Sequence, residues 1–274
     1  EFREDYRTSV IIEDSAGHVI HHTDRDLIHN WHMRTGLWPR NEVVLDPYLL
    51  QIPVGTPPGR YALRLAVYSA DTMARLRVQD ESGGLSTLLG RVDVVVPDTA
   101  SDKVRKVRPT RRLELALADS IGLSGFDMDL EKAYPPGGQA TLALYWDIRA
   151  QPEADYEVAV DLDTGRGLVA LHPARRPLGD HFPTTRWQAG QVWRGLYDLR
   201  LPPDVERGTY ELVVQLSEVE SDVVVGQGLL GRMQVGGWSR QFEAPDIPEP
   251  YDITLGGKIR FLGYGPQSAE AEAG

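Results

Sequence analysis

The strongest constraint on this chain is that part of it is written twice. Trp38, Val43, Tyr48, Leu50, Ile52, Pro53, Gly59 and Tyr61 reappear as Trp187, Val192, Tyr197, Leu199, Leu201, Pro202, Gly208 and Tyr210. The offset is constant, since 187−38, 197−48, 208−59 and 210−61 all give 149, and only Ile52 changes, to Leu201. Upstream, Asp5-Tyr6 matches Asp155-Tyr156 at 150, and downstream Leu88-Leu89-Gly90-Arg91 matches Leu229-Leu230-Gly231-Arg232 at 141. The last hairpin is therefore expected to be eight residues shorter in the second copy (149−141). A period of this kind is the mark of modules stacked along a chain.

A third match has a different phase. Leu117, Ile121, Leu123, Gly125 and Phe126 return near the end as Leu255, Ile259, Phe261, Gly263 and Tyr264, at an offset of 138. The tail thus repeats the opening of the second module rather than its close. The expected layout is a first module over 1–97 without its opening strands, a basic linker over 98–112, a complete module over 113–242, and a tail over 243–274 carrying the first strand of a further repeat. The chain begins at Glu1 rather than Met and shows no signal peptide, which reads as a processed or excised piece.

Within each copy apolar residues alternate with polar or small ones. Tyr61, Leu63, Leu65 and Val67 form one set, Tyr210, Leu212, Val214 and Leu216 another, and Tyr156, Val158, Val160 and Leu162 a third. A period of two predicts strands with one buried and one wet face. The 27 glycines and 19 prolines sit between these runs, as in Pro135-Pro136-Gly137-Gly138 and Pro57-Pro58-Gly59, where turns are needed. No long helical stripe interrupts them. The expected fold is all-β, as tandem immunoglobulin-like, Greek-key β-sandwich modules. The repeated Gly59, Tyr61 and Gly208, Tyr210 admit two readings: a tyrosine corner, whose hydroxyl bonds backbone across a turn, or an ordinary half-buried strand tyrosine.

The formal charge of −11 repels phosphate backbones and argues against nucleic acid as a partner. No run approaches the roughly 20 apolar residues that span a bilayer, so no membrane insertion by this segment is expected. The absence of cysteine removes disulfides, thiol catalysis and zinc–thiolate sites together. Lys103, Arg105, Lys106, Arg108, Arg111 and Arg112 crowd the linker, which reads as a solvated connection before it reads as a dock for an anionic glycan or lipid head group.

Phe182-Pro183-Thr184-Thr185-Arg186-Trp187 followed by Gly190 and Val192, with Ala133-Tyr134-Pro135-Pro136-Gly137, Leu144-Tyr145-Trp146 and Gly208-Thr209-Tyr210, carries a family likeness. The second module resembles the extracytoplasmic β-sandwich repeats attached to bacterial multispanning membrane glycosyltransferases of the dolichyl-phosphate-mannose mannosyltransferase type. The likeness covers most of the second module and, more weakly, the first, where Leu37 stands in place of Arg186. It implies an outward-facing accessory module, extracellular or at the cell surface, and carries over no catalytic residue.

Five of the seven histidines, His18, His21, His22, His29 and His32, lie close in sequence. A metal needs three or four converging ligands, yet His21 and His22 point to opposite faces of a strand, and His22 and His32 recur as His172 and His181. A structural role is expected, with no metal and no cofactor. No spaced carboxylate pair, Gly-x-Ser-x-Gly elbow or phosphate-cradling loop appears, and Asp127 with Asp129 falls short of a calcium loop. Trp38 and Trp187, being equivalent, read as core residues. Trp31 and Trp193 have no tryptophan counterpart and are the candidates, with Arg186, for stacking on a sugar, although core packing is the favoured role for both tryptophans.

The chain is therefore expected to be a non-catalytic structural or interaction protein whose partners are neighbouring copies of itself or adjacent repeats. The tail residues Leu255, Ile259, Phe261 and Tyr264 would serve as donor strand to an incomplete first module; a tail folded on itself is the competing reading. A carbohydrate-binding accessory domain of a membrane glycosyltransferase, with a surface glycan as partner, is the alternative, and a glycan hydrolase a third.

Overall fold

The computed structural model describes residues 4–29, 33–39, 43–79, 83–96, 107–237 and 247–265, and the protein is all-β. The chain divides into two compact units, residues 1–236 and 237–274, and both long repeats fall in the first. The first repeat carries β1 (Tyr6–Glu13), β2 (Val19–Asp26), the short β3 (Ile28–His29) and β4 (Met33–Arg34), then β5 (Gly59–Ser69) and β6 (Thr87–Val94). Its main sheet has the order β2-β1-β5-β6. In the second repeat, β7 (Arg111–Ala116), β8 (Ile121–Asp127), β10 (Gln139–Ile148) and β13 (Val192–Arg200) make a sheet of order β13-β10-β8-β7. The other sheet, of order β12-β11-β14-β15-β9, is built from β9 (Ala133–Tyr134), β11 (Tyr156–Asp163), β12 (Leu168–Arg175), β14 (Gly208–Glu218) and β15 (Val224–Val235).

The two sheets of the second repeat turn their apolar positions toward one another. Leu142, Leu144 and Trp146 of β10 share a cluster with Val158, Val160 and Leu162 of β11 and with Leu212, Val214 and Leu216 of β14, all fully buried. Period two in the sequence becomes a sandwich-like core because two such faces exclude water from each other.

The repeat is a structural one. β2-β1-β5-β6 copies β12-β11-β14-β15 strand for strand. Leu63 opposes Gly90 as Leu212 opposes Gly231, so the eight-residue difference falls in the β5–β6 connection. Each copy closes with the same clamp: the Trp38 amide donates to Thr35 O and the Trp187 amide to Thr184 O. Thr35 Oγ1 accepts from the Tyr6 amide at 2.7 Å, and Thr184 Oγ1 from the Tyr156 amide at 2.9 Å. The tyrosine-corner bond exists in both copies, Tyr61 Oη donating to Pro57 O at 2.8 Å and Tyr210 Oη to Glu206 O at 3.0 Å.

Among the described residues the first repeat has one sheet of this kind. Residues 43–50, which copy β13, form no strand. They still alternate, with Val44, Asp46, Tyr48 and Leu50 inward and Val43, Leu45, Pro47 and Leu49 exposed. Tyr48 is pinned by its hydroxyl to Thr8 Oγ1 and by the Arg25 guanidinium 4.0 Å over its ring. Lacking an opposite sheet, Leu63, Leu65 and Val67 remain partly exposed where Leu212, Val214 and Leu216 are wholly buried.

Two expected boundaries move. Arg111 and Arg112 are not linker but pair with Phe126 and Gly125, so the second repeat begins at the start of β7; residues 97–106 lie outside the described residues. The tail holds two strands rather than one. β16 (Glu249–Leu255) and β17 (Ile259–Tyr264) form a hairpin that copies β7 and β8, as 249−111 and 259−121 both give 138. Gly256 and Gly257, at φ 57° and 67°, make its turn in the region that glycine adopts without strain. The hairpin's apolar residues, Tyr251, Ile253, Leu255, Ile259, Phe261 and Tyr264 among them, are exposed.

Candidate functional site

The strands that repeat also enclose a cleft of about 820 Å³ where the two repeats meet. One wall is the β1–β2 turn, with Asp14, His18 and Ile20, together with Tyr61. The other is the outer face of β13 with the end of β12: Arg194, Leu196, Asp198 and Arg200 alternate outward because Trp193, Tyr197 and Leu199 take the core side. Backbone joins the walls as well. The Arg194 amide donates to Gly55 O at 2.7 Å, the Arg194 guanidinium reaches Ile20 O at 3.5 Å, and His181 Nε2 donates to Pro58 O at 2.9 Å.

His18 is the electrostatic centre of the junction. Its Nδ1 donates to Asp14 Oδ2 at 2.9 Å, and its Nε2 stands 3.1 Å from Asp198 Oδ1, an ion-pair contact across the repeats. The Asp14 carboxylate, helped by Asp198, pushes the imidazolium up to about 9 against the opposing effect of burial. Burial works against Asp14 too, yet bonds from the His18 ring, the His18 amide and the Ala16 amide hold it below the usual carboxylate range. His172 goes the other way, lowered by burial, with Nδ1 donating to Asp198 O at 3.2 Å. The junction is thus held by a charged histidine between two acids. Nothing in the sequence pattern marks it, because Asp198 lies outside any motif and 180 residues from His18 (198−18).

The residues singled out from sequence scatter. Of the two readings of Trp193, core packing holds and sugar stacking does not: it is buried, meets Phe182 edge-on at 5.2 Å between centroids and opposes Trp146 across the β10–β13 pair. Arg186 is exposed and lies over the Phe182 ring at 5.7 Å. Trp31 and His32 lie outside the described residues. Trp187 is wholly buried beside Trp146, whereas Trp38, half-buried, hangs its Nε1–H on Met33 O at 3.0 Å. Gly59 and Gly208 open β5 and β14 at the same place, and Gly59 runs beside His181, where an added Cβ would meet Nε2 at 3.2 Å. Among the described residues no three His, Asp or Glu side chains converge as a metal would require, and no helix is long and apolar enough to cross a membrane.

No protein-family model matches this chain, and no curated protein matches it either.

Proposed function

We propose that this chain is a non-catalytic structural and interaction protein of the cell exterior, built of immunoglobulin-like Greek-key repeats and assembling with copies of itself. One observation carries the reading: equivalent residues are fully buried in one place and partly or largely exposed in another. Leu63, Leu65 and Val67 lack the opposing sheet that buries Leu212, Val214 and Leu216. Ile259, Phe261 and Tyr264, copies of the buried Ile121, Leu123 and Phe126, are 65%, 40% and 56% exposed. The chain therefore holds both a sheet whose face is only partly covered, with Val10 and Ile12 buried but Leu63, Leu65 and Val67 beside them still reaching water, and an exposed hairpin of the kind that completes such a sheet. Donating the hairpin to the first repeat of a neighbour buries both apolar sets, and the contact is heterologous, leading to a ring or an open filament. A β10-type strand, which stands between the β8 and β13 types in the complete repeat, has to enter the same sheet. The outward-facing location rests on the resemblance described above. Deleting residues 249–274 and measuring mass in solution tests the donation: the full chain associates with rising concentration and the truncated chain does not. Equal, concentration-independent masses for the two overturn it.

A second reading, a carbohydrate-binding accessory domain of a membrane glycosyltransferase, draws support from the junction cleft. There Arg175 and Arg200 form no ion pair among the described residues and face a cavity that fits an acidic sugar. Saturable binding of acidic oligosaccharides, lost in Arg175→Ala with Arg200→Ala, would favour it.

A further inference from the structure

The junction between the two repeats has open counterparts at both ends of the pair. At the offsets of 149 and 150, Asp198 corresponds to Leu49, Arg194 to Leu45 and Val192 to Val43, while His18 corresponds to Leu168 and Ile20 to Ala170. Val43, Leu45 and Leu49, 94%, 91% and 85% exposed, are the three most exposed large apolar side chains among the described residues. Leu168, at 43%, and Ala170 are exposed too, at the far end of the second repeat. The substitution is matched on both sides: where the internal junction sets His18 against Asp198, the free surfaces offer Leu168 and Leu49.

We infer that a second copy of this chain docks here, its β11–β12 turn and Leu168 seated on the outer face of residues 43–50, repeating the internal junction with an apolar pair in place of the ion pair. The rest of the contact has its counterparts. Asp204 stands where Gly55 accepts the Arg194 amide, in a loop that is exposed, and the Leu45 amide stands where Arg194 donates. An unpaired leucine surface of this kind, equivalent through the repeat to a built interface, is what a chain covers by association. The contact joins different surfaces of the two copies, so it propagates head to tail along the direction set by the first junction. This inference rests on the reading that the chain self-associates, but not on the tail, which takes no part in it.

The test copies the internal pair into the end surfaces. The full chain, Leu49→Asp, and Leu49→Asp combined with Leu168→His are followed by sedimentation over a range of concentration. Thermal melting checks that each variant folds, which the exposure of both sites favours. The wild type is expected to associate, Leu49→Asp to weaken association at least tenfold, and the double variant to recover it in a salt-sensitive form, since a His–Asp pair is screened as the leucines are not. Association lost on deleting 249–274 but untouched by Leu49→Asp overturns this inference and leaves strand donation standing. Loss with Leu49→Asp but not with the deletion does the reverse. A wild type that stays monomeric throughout overturns both.

Discussion

His18 and Asp198, 180 residues apart in sequence (198−18), face each other at 3.1 Å and tie the first repeat to the second. With Asp14 on the other ring nitrogen, the imidazole is protonated across the neutral range, and the repeats are joined by charge where backbone contacts alone are few.

The pH dependence follows from the direction of that shift. The folded His18 titrates near 9, above its unfolded value of about 6.5. Its contribution is complete below about pH 6.5 and is lost as pH rises through 9, because the unfolded chain gives up the proton first. A loss on the order of 1–2 kcal/mol between pH 6 and 9.5 is expected for so partly screened a group. Melting temperature measured against pH should fall over that window in the wild type and stay flat in His18→Gln. An unchanged slope in the variant would remove His18 as the cause.

The paired tyrosines give a second expectation. Both hydroxyls bond the carbonyl four residues upstream, but Tyr61 is buried, under the junction, while Tyr210 is partly exposed. Replacing either with Phe removes one hydrogen bond and leaves a carbonyl unpaired, costing about 1 kcal/mol. The cost should be larger at Tyr61, where water reaches the orphaned Pro57 carbonyl less easily. Urea denaturation of Tyr61→Phe and Tyr210→Phe compares them, and a larger loss at Tyr210 contradicts the burial argument.

Trp187 and Trp38 share a sequence place but not an environment. Trp187 is wholly buried against Trp146 and Phe182, so Trp187→Ala should cost about 3–5 kcal/mol through lost burial and an unfilled cavity. Trp38→Ala should cost clearly less, since its ring is partly in water already. Equal losses in chemical denaturation would mean that the first repeat covers Trp38 in solution.

Why some of this is legible in the sequence and some is not can be argued residue by residue. Tyr61 with Tyr210, and Leu63 with Leu212, are found by overlaying the copies, because strand alternation and a turn-bound hydroxyl are local properties that survive duplication. The position of Trp193 was also within reach: 193, 195, 197 and 199 share one face of a strand, so Tyr197 and Leu199 in the core put Trp193 there as well. Its lack of a tryptophan counterpart misleads, since Val44 holds the same inward place in a repeat with no β10-type strand among the described residues. The additional strand of the tail hairpin, β16, follows from carrying the offset of 138 back to Arg111, but charged, linker-like residues hide the alternation of β7. The junction could not be read at all. Contacts between modules have no period, and Asp14, His18 and Asp198 are unremarkable until folding brings them together.

The last expectation concerns two leucines. Leu63 and Leu212 occupy the same site on β5 and β14, each opposite a glycine and each turned toward where a second sheet belongs. Leu212 is wholly buried; Leu63 is not. Leu212→Ala should therefore cost about 2–5 kcal/mol, the usual range for a packed leucine, at any protein concentration. Leu63→Ala should cost less in the dilute monomer, about 1–2 kcal/mol, as part of its side chain is still in water there. If a neighbour's strands cover the first repeat, the two differ in a further way. Binding to the folded state alone adds stability that grows with concentration. The wild type then gains in melting temperature as concentration rises, and Leu63→Ala, with its docking face reduced, gains less. Thermal melts of the wild type and both variants over a hundredfold range of concentration separate the possibilities. A Leu63→Ala cost that is small and constant means the sheet stays bare, while one that climbs toward the Leu212→Ala value means it is covered by association.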